Sequence, residues 1–306
     1  MANFDDLFDS QSPPQNKAPQ GGINASTGQG GQPFSRDEYA ARKHAEREAA
    51  FELSDNTAAE VAGNSGRFRQ YLDVQAKFDR YSAVNALLIL AQKPESTKIG
   101  DFEYWKDRGG FVRSGQSAIT IIVPHEYTKE DGSPGVGYNI KKVFDISQVS
   151  KGKAALLHDY DNRQILSVLI NKAPVKIIGV DTIPDGLGAV TNIDTGEISV
   201  LKGMGFADTF RSLVQELAVN NLIDGNKTQR DTKFSAYCAT YMLCKKYGVD
   251  TKSFDFSNAG SILGGMDAQA VKYELAQIRD AAAAISGRME KQLAATQKAP
   301  RAAEAR

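Results

Sequence analysis

Cysteine is almost missing from this chain of 306 residues, with only Cys238 and Cys244 present. Six positions apart on an expected helix, they fall on different faces. That excludes a disulfide framework and a C-x-x-C site, and both are read as buried thiols. Histidine is nearly as scarce: His44, His125 and His158 are the whole set, and none lies in the helical C-terminal region. Net charge is lacking too, because 37 lysines and arginines meet 37 aspartates and glutamates. A bulk field cannot steer a polyanion to such a protein, so any nucleic-acid site has to be a local patch. No segment approaches the roughly 18 apolar residues of a membrane span. The N-terminal MANFDDLFDS lacks the basic and then apolar regions of a secretory leader. A cytoplasmic protein with no membrane partner is expected. Neither a G-x-x-x-x-G-K-[ST] loop nor a G-x-S-x-G elbow occurs, and no cofactor is expected. His125, Asp145 and Ser147 supply the residue types of a triad without a motif, so His125 is read as a surface residue.

What is present is a soluble composition, 41% hydrophobic and 24% charged, on a chain long enough for two modest domains. Residues 1 to about 35 are rich in proline, glycine and polar groups and are expected to be a flexible tail. From Ser35 to Leu53 helix formers alternate in charge, with Ser35 and Glu38 in the form of a capping box; a solvated helix is expected. A second helix follows Gly66, its apolar face marked by Phe68, Tyr71, Leu72 and Phe78. Ser82 can cap a third, through Leu90, which Pro94 must stop. Short β-type runs at Phe111–Val112, Ala118–Val123 and Lys142–Ile146 are separated by glycine-rich pieces, including DGSPGVG, and predict a small antiparallel sheet.

The second half begins with an expected helix over Arg163–Ile170, then a strand over Val175–Val180. A hairpin is expected in GAVTNIDTGEISVL, turning at Asp194-Thr195-Gly196. Three helices follow, over Ala207–Leu222, over Thr232–Tyr247 with Gly248 closing it, and over Asp267–Leu293. On the last, Val271, Leu275, Ile278, Ala282 and Ile285 form a narrow stripe expected to pack within its own domain. The fold class is α+β: N-terminal helices with a small antiparallel sheet, then a second α+β domain. Its expected divisions are residues 1–60, tail and solvated helix; 61–150, first domain; 151–295, second domain; and 296–306, a frayed tail.

Within the first domain the chain shows Tyr81-Ser82, Asn85, Gln92 and Pro94, then Tyr104-Trp105-Lys106, Gly109, Arg113, Gly115 and Pro124, running on to Val143-Phe144-Asp145-Ile146-Ser147-Gln148. Polar groups and aromatics in this mixture suit an unpaired strand: rings stack on bases, cations track phosphates and side-chain amides reach base edges. The same residues also read as core aromatics, internal hydrogen-bond partners and ordinary surface charge. Over about 70 residues the pattern resembles the N-terminal domain of the ArdC/LtrC-like proteins of mobile genetic elements. The resemblance implies single-stranded DNA binding by Tyr81, Asn85, Gln92, Trp105, Lys106, Arg108 and Arg113. One departure is Gly110, where relatives often carry arginine; it puts a phosphate contact in doubt.

The C-terminal half resembles the zincin-like metallopeptidase domain that accompanies that module. There H-E-x-x-H sets two histidines on one helical face to hold zinc, with the glutamate activating water. Here the frame reads Gln215-Glu216-Leu217-Ala218-Val219, and the position of the third, acidic ligand is Ser235. Glutamine is a poor zinc ligand and valine is none. The resemblance therefore implies a pseudopeptidase without metal or catalysis, in which Glu216 is a helix former or a structural hydrogen-bond partner. The function expected is strand binding for a mobile element, in antirestriction or strand protection. Two rivals stand beside it: an adaptor gripping a host or element-encoded protein through the degenerate domain, and a peptidase with unorthodox ligands at Glu216, Asp224 and Asp231.

Overall fold

A computed structural model describes residues 36–129, 131–151, 160–192, 194–223 and 229–298. The expected flexible tail, Ser35 of the capping box and Asp224 lie outside the described residues, as does the side chain of Asp231. Helix α1 spans Arg36–Gly63, α2 Ser65–Lys77 and α3 Ala83–Gln92. Their starts follow from caps: Asn64 accepts from the amide of Arg67 at 2.8 Å, and Ser82 accepts from that of Asn85 at 3.2 Å. Strand β1 (Ile99–Gly100), helix α4 (Phe102–Lys106) and strand β2 (Phe111–Val112) come next. Strands β3 (Ile119–Thr128) and β4 (Pro134–Asp145) make one long hairpin, and β5 (Val149–Ser150) pairs back onto β2. The first sheet is antiparallel, ordered β1-β4-β3, so β3 is an edge.

Helix α5 (Asn162–Ile170) leads to β6 (Ile177–Val180), β7 (Ala189–Thr191) and β8 (Ile198–Leu201). In this second sheet β8 is central, parallel to β6 and antiparallel to β7. Helices α6 (Phe206–Leu222), α7 (Gln229–Lys246), α8 (Ala259–Leu263) and α9 (Ala268–Lys298) complete the order. The class is α+β, as the alternation of periodicities predicted.

Three expectations need correction. The first helix is solvated over residues 37–49 but runs past Leu53 to Gly63, and there it buries Ser54, Thr57, Ala58, Val61 and Ala62. Its small residues carry little hydrophobic signal, yet they let α2, α3 and α9 approach closely. Second, only the first part of DGSPGVG, Asp131-Gly132-Ser133, separates the strands; Pro134–Gly137 belong to β4. A Cβ on Gly135 would stand 2.6 Å from the Tyr127 ring, and one on Gly137 2.4 Å from the His125 ring. These glycines sit in a strand because cross-strand rings lie over them. Third, the stripe on α9 is buried as expected but does not stay within its own half. One hydrophobic cluster joins Phe68, Leu72, Leu87 and Ile121 to Leu217, Tyr241, Leu275 and Ile285.

A polar seam follows that shared core. Acidic residues of the first half meet basic residues of the second: Asp73 with Lys245 at 3.0 Å, Asp55 with Lys272 at 2.5 Å, and Asp79 with Lys246. Lys246 also holds Glu290 at 2.6 Å. The Asp73–Lys245 pair is partly open to solvent and contributes little, while the Asp79–Lys246 pair is the more sheltered.

Candidate nucleic-acid interface

The seven residues expected to bind DNA divide into two groups. Asn85 and Gln92 are one group's helical members, seven positions apart and so on one face of α3. Asn85 donates to the carbonyl of Ile122 at 2.7 Å and accepts from its amide at 2.8 Å. Gln92 repeats the exchange with Thr120, at 2.9 Å and 2.8 Å. The two amides thus take the place of a neighbouring strand along the open edge of β3, and an unpaired edge is what they prevent. Trp105 is 1% exposed, packs with Phe144 and Val149, and donates its indole N–H to the carbonyl of Phe144 at 2.9 Å. The structure places Asn85, Gln92 and Trp105 in the platform, with their polar atoms bonded to the protein's own backbone.

Lys106, Arg108 and Arg113 are exposed, and Tyr81 is half-buried. Asp101 opens α4 by accepting from the amide of Tyr104 at 2.7 Å and holds Lys141 at 2.6 Å. Those contacts, the ion pair first, keep its carboxyl below the usual range. The ring of Tyr104 lies flat on Gly100, where a Cβ would come within 2.1 Å of it. Arg108 stacks over the same ring, 3.9 Å from its centre, and donates to the Tyr104 carbonyl at 3.3 Å. That pairing of cation and ring is a cation–π contact. Arg113 donates to the carbonyl of Ser147. Burial raises the Tyr81 hydroxyl above its ordinary range, with Lys141, Tyr104 and Asp101 as its charged or titratable neighbours, so it borders the same corner.

Two aromatics at this corner went unrecognised in the sequence. Phe102 is 60% exposed, its ring resting 4.7 Å from that of Phe144, and Phe111 is 59% exposed on β2. Large apolar rings are rarely left open in this way beside unpaired cations. Among the described residues Lys106, Arg108 and Arg113 enter no ion pair, while Glu103 lies on α4 and Asp107 caps its end. The corner is therefore aromatic first and only mildly cationic. Gly110 is buried: a Cβ there would meet Val149 Cγ1 at 2.7 Å, so a larger side chain would require Val149 to move.

Glu216 has a different setting. One carboxylate oxygen accepts from the amide of Thr191 at 2.9 Å and from its hydroxyl at 2.6 Å, tying α6 to β7. Asn220 adds a contact to the same hydroxyl at 3.3 Å. Val219 is 2% exposed in the core, and Ser235 donates to Glu274. Asp145, the acid nearest a triad in type, accepts from the amides of Thr97, Lys98 and Ser147, while His125 covers Gly137. Among the described residues no group of three or more metal-ligating side chains comes together, and no helix is long and apolar enough to cross a membrane.

Residues 58–154 match the family model for the N-terminal domain of the anti-restriction factor ArdC. This part of the chain is similar to an ArdC-type N-terminal domain. No curated protein matches the chain. Among solved structures it is similar to the antirestriction ArdC protein from the R388 plasmid. The metal-free form is 16% identical, with 69% of this chain and 86% of that one covered at a TM-score of 0.46. The Mn(II)-bound form is 15% identical, with 70% and 85% covered at the same TM-score.

Proposed function

We propose that the ArdC-type domain binds single-stranded DNA at the α4–β2 corner, in an antirestriction-related protein of a mobile genetic element. The observation that carries this reading is the exposed pairing of Phe102 and Phe111 with Lys106, Arg108 and Arg113 on a buried platform. Exposed rings accept any unpaired base, and each such stack is worth about 1–3 kcal/mol. Duplex DNA hides those faces, which supports preference for a single strand. The match of residues 58–154 to an anti-restriction factor's domain supports the cellular role. The C-terminal half, in the same reading, is a peptidase-like scaffold whose glutamate has become structural, its contact to Thr191 filling the place of chemistry.

Fluorescence anisotropy of labelled single-stranded and duplex oligonucleotides tests the reading. Wild type binds the single strand more tightly, and Phe102→Ala/Phe111→Ala loses at least tenfold in affinity with its thermal unfolding little changed. Because the corner is weakly charged, affinity falls only mildly with salt, with a slope set by about two or three phosphate contacts at roughly −0.7 each. Equal affinity of wild type and double variant, or no strand binding at low salt, removes the proposal.

A further inference from the structure

The α4–β2 corner is complementary to another segment of its own chain. Phe102 and Phe111 are open to solvent beside Lys106, Arg108 and Arg113, and among the described residues those three cations enter no ion pair. A segment that carries both apolar rings and carboxylates covers the rings and pairs the cations at once. The chain has one in Phe4-Asp5-Asp6-Leu7-Phe8-Asp9, which lies outside the described residues. Its first sixteen residues hold three aspartates and no lysine, arginine or histidine, in a chain that balances 37 basic against 37 acidic residues overall. Flat rings beside negative charge are also what an unpaired nucleotide presents, so strand and segment suit the same surface.

The length of chain between them is sufficient. Helix α1 passes along β4, where Arg47 donates to the carbonyl of Tyr138 at 3.4 Å. Further along that strand Lys141 holds Asp101, the residue that opens α4, at 2.6 Å. Helix rise, strand rise and side-chain length together put Arg36, where α1 begins, within about 50 Å of Asp101. The 26 residues from Ser10 to Ser35 span up to about 90 Å. A tether of this kind holds a segment near its site at an effective concentration on the order of 1 mM, so a contact of modest affinity competes with a ligand from solution.

We propose that residues 4–9 dock on the α4–β2 corner of their own chain, rings on Phe102 and Phe111 and carboxylates on Lys106, Arg108 and Arg113, and compete there with a single strand. The competition rests on the strand binding proposed above; the docking does not. The test compares full-length wild type with full-length Phe4→Ala/Leu7→Ala/Phe8→Ala, which keeps all three carboxylates and so gains no attraction for a polyanion through charge alone. Oligonucleotide anisotropy reads the competition, and a labelled peptide of residues 1–12 titrated with the variant reads the docking. The variant is expected to bind the single strand at least threefold more tightly than wild type at every protein concentration. It also binds the peptide, and adding Phe102→Ala/Phe111→Ala abolishes that binding. A gain that depends on protein concentration assigns the contact to a second copy and overturns the proposal, as does peptide binding that survives Phe102→Ala/Phe111→Ala. Strand affinity that is the same in wild type and variant overturns it too and leaves the DNA function standing. Peptide binding that is lost with the two rings, in a protein that binds no strand in either form, keeps the docking and removes the DNA function.

Discussion

The α4–β2 corner and the α6–β7 seam both present residues with chemical potential, yet they spend it differently. At the seam, Glu216 is held by the amide and hydroxyl of Thr191, and its helical neighbour Val219 is core. Its acceptor capacity goes to fastening a helix to an edge strand. At the corner, the polar groups that fasten are Asn85, Gln92 and Trp105, and they lie beneath the surface. Phe102, Phe111, Lys106 and Arg108 are left over on top of them. A polar side chain whose bonds are complete inside the protein adds stability; one whose bonds are incomplete at the surface is available to a ligand. The contrast is one of satisfaction, since both regions contain residue types suited to function.

The comparison can be broken at each of these positions. Trp105→Ala empties a fully packed site and leaves the Phe144 carbonyl unpaired, so denaturant unfolding should show a loss of about 3–5 kcal/mol. A loss below about 1 kcal/mol would return Trp105 to the surface and to the list of stacking residues. Asn85→Ala strips both backbone groups of Ile122 at the edge of β3, with an expected loss of about 2–4 kcal/mol at about one to two per group. Hydrogen exchange should quicken at Ile122 first; exchange unchanged there would contradict the edge-capping role. Glu216→Ala frees the amide and hydroxyl of Thr191 and should cost about 1–3 kcal/mol, while Glu216→Gln, which keeps an acceptor, costs less. Equal losses for the two would mean that the contact to Thr191 is not what Glu216 provides.

The smallest effect is a pH dependence. Burial acts to raise the Asp145 carboxyl, but hydrogen bonds from Ser147, Lys98 and Thr97 outweigh it and the group lies below its ordinary range. A carboxyl depressed on folding contributes stability that is complete above its unfolded value, about 3.9, and is lost as pH falls through the folded value. Unfolding followed from pH 6 downward should therefore show stability falling in the acid range, and Asp145→Asn should flatten that fall. An identical acid profile for the variant would show that other carboxylates carry it.

Local rules made much of the architecture readable. Ser82, Pro94 and Gly248 bound their helices where capping and proline sterics require, and the hairpin around Asp194-Thr195-Gly196 pairs Ala189 with Val200. The long stripe on α9 is buried along its length. Less readable were α4 and α8, with five residues each, and β1 and β5, with two each, because such pieces are shorter than the periods by which sequence announces structure. The burial of α1 was also hidden, since alanine, serine and threonine signal neither core nor surface.

At the candidate interface the sequence determined which residue types gather between Tyr81 and Arg113, because aromatics, amides and cations are counted without knowing where they point. Tertiary structure alone decided which of them face outward. Phe102, Tyr104 and Trp105 are near neighbours in one short helix, yet their fates diverge: one over Phe144, one against Gly100 and Arg108, one in the core. The reason is that exposure depends on what packs from elsewhere in the chain. For these rings the deciding neighbours are Phe144 and Val149, some 40 residues on, brought there by the pairing of β4 with β1 and of β5 with β2.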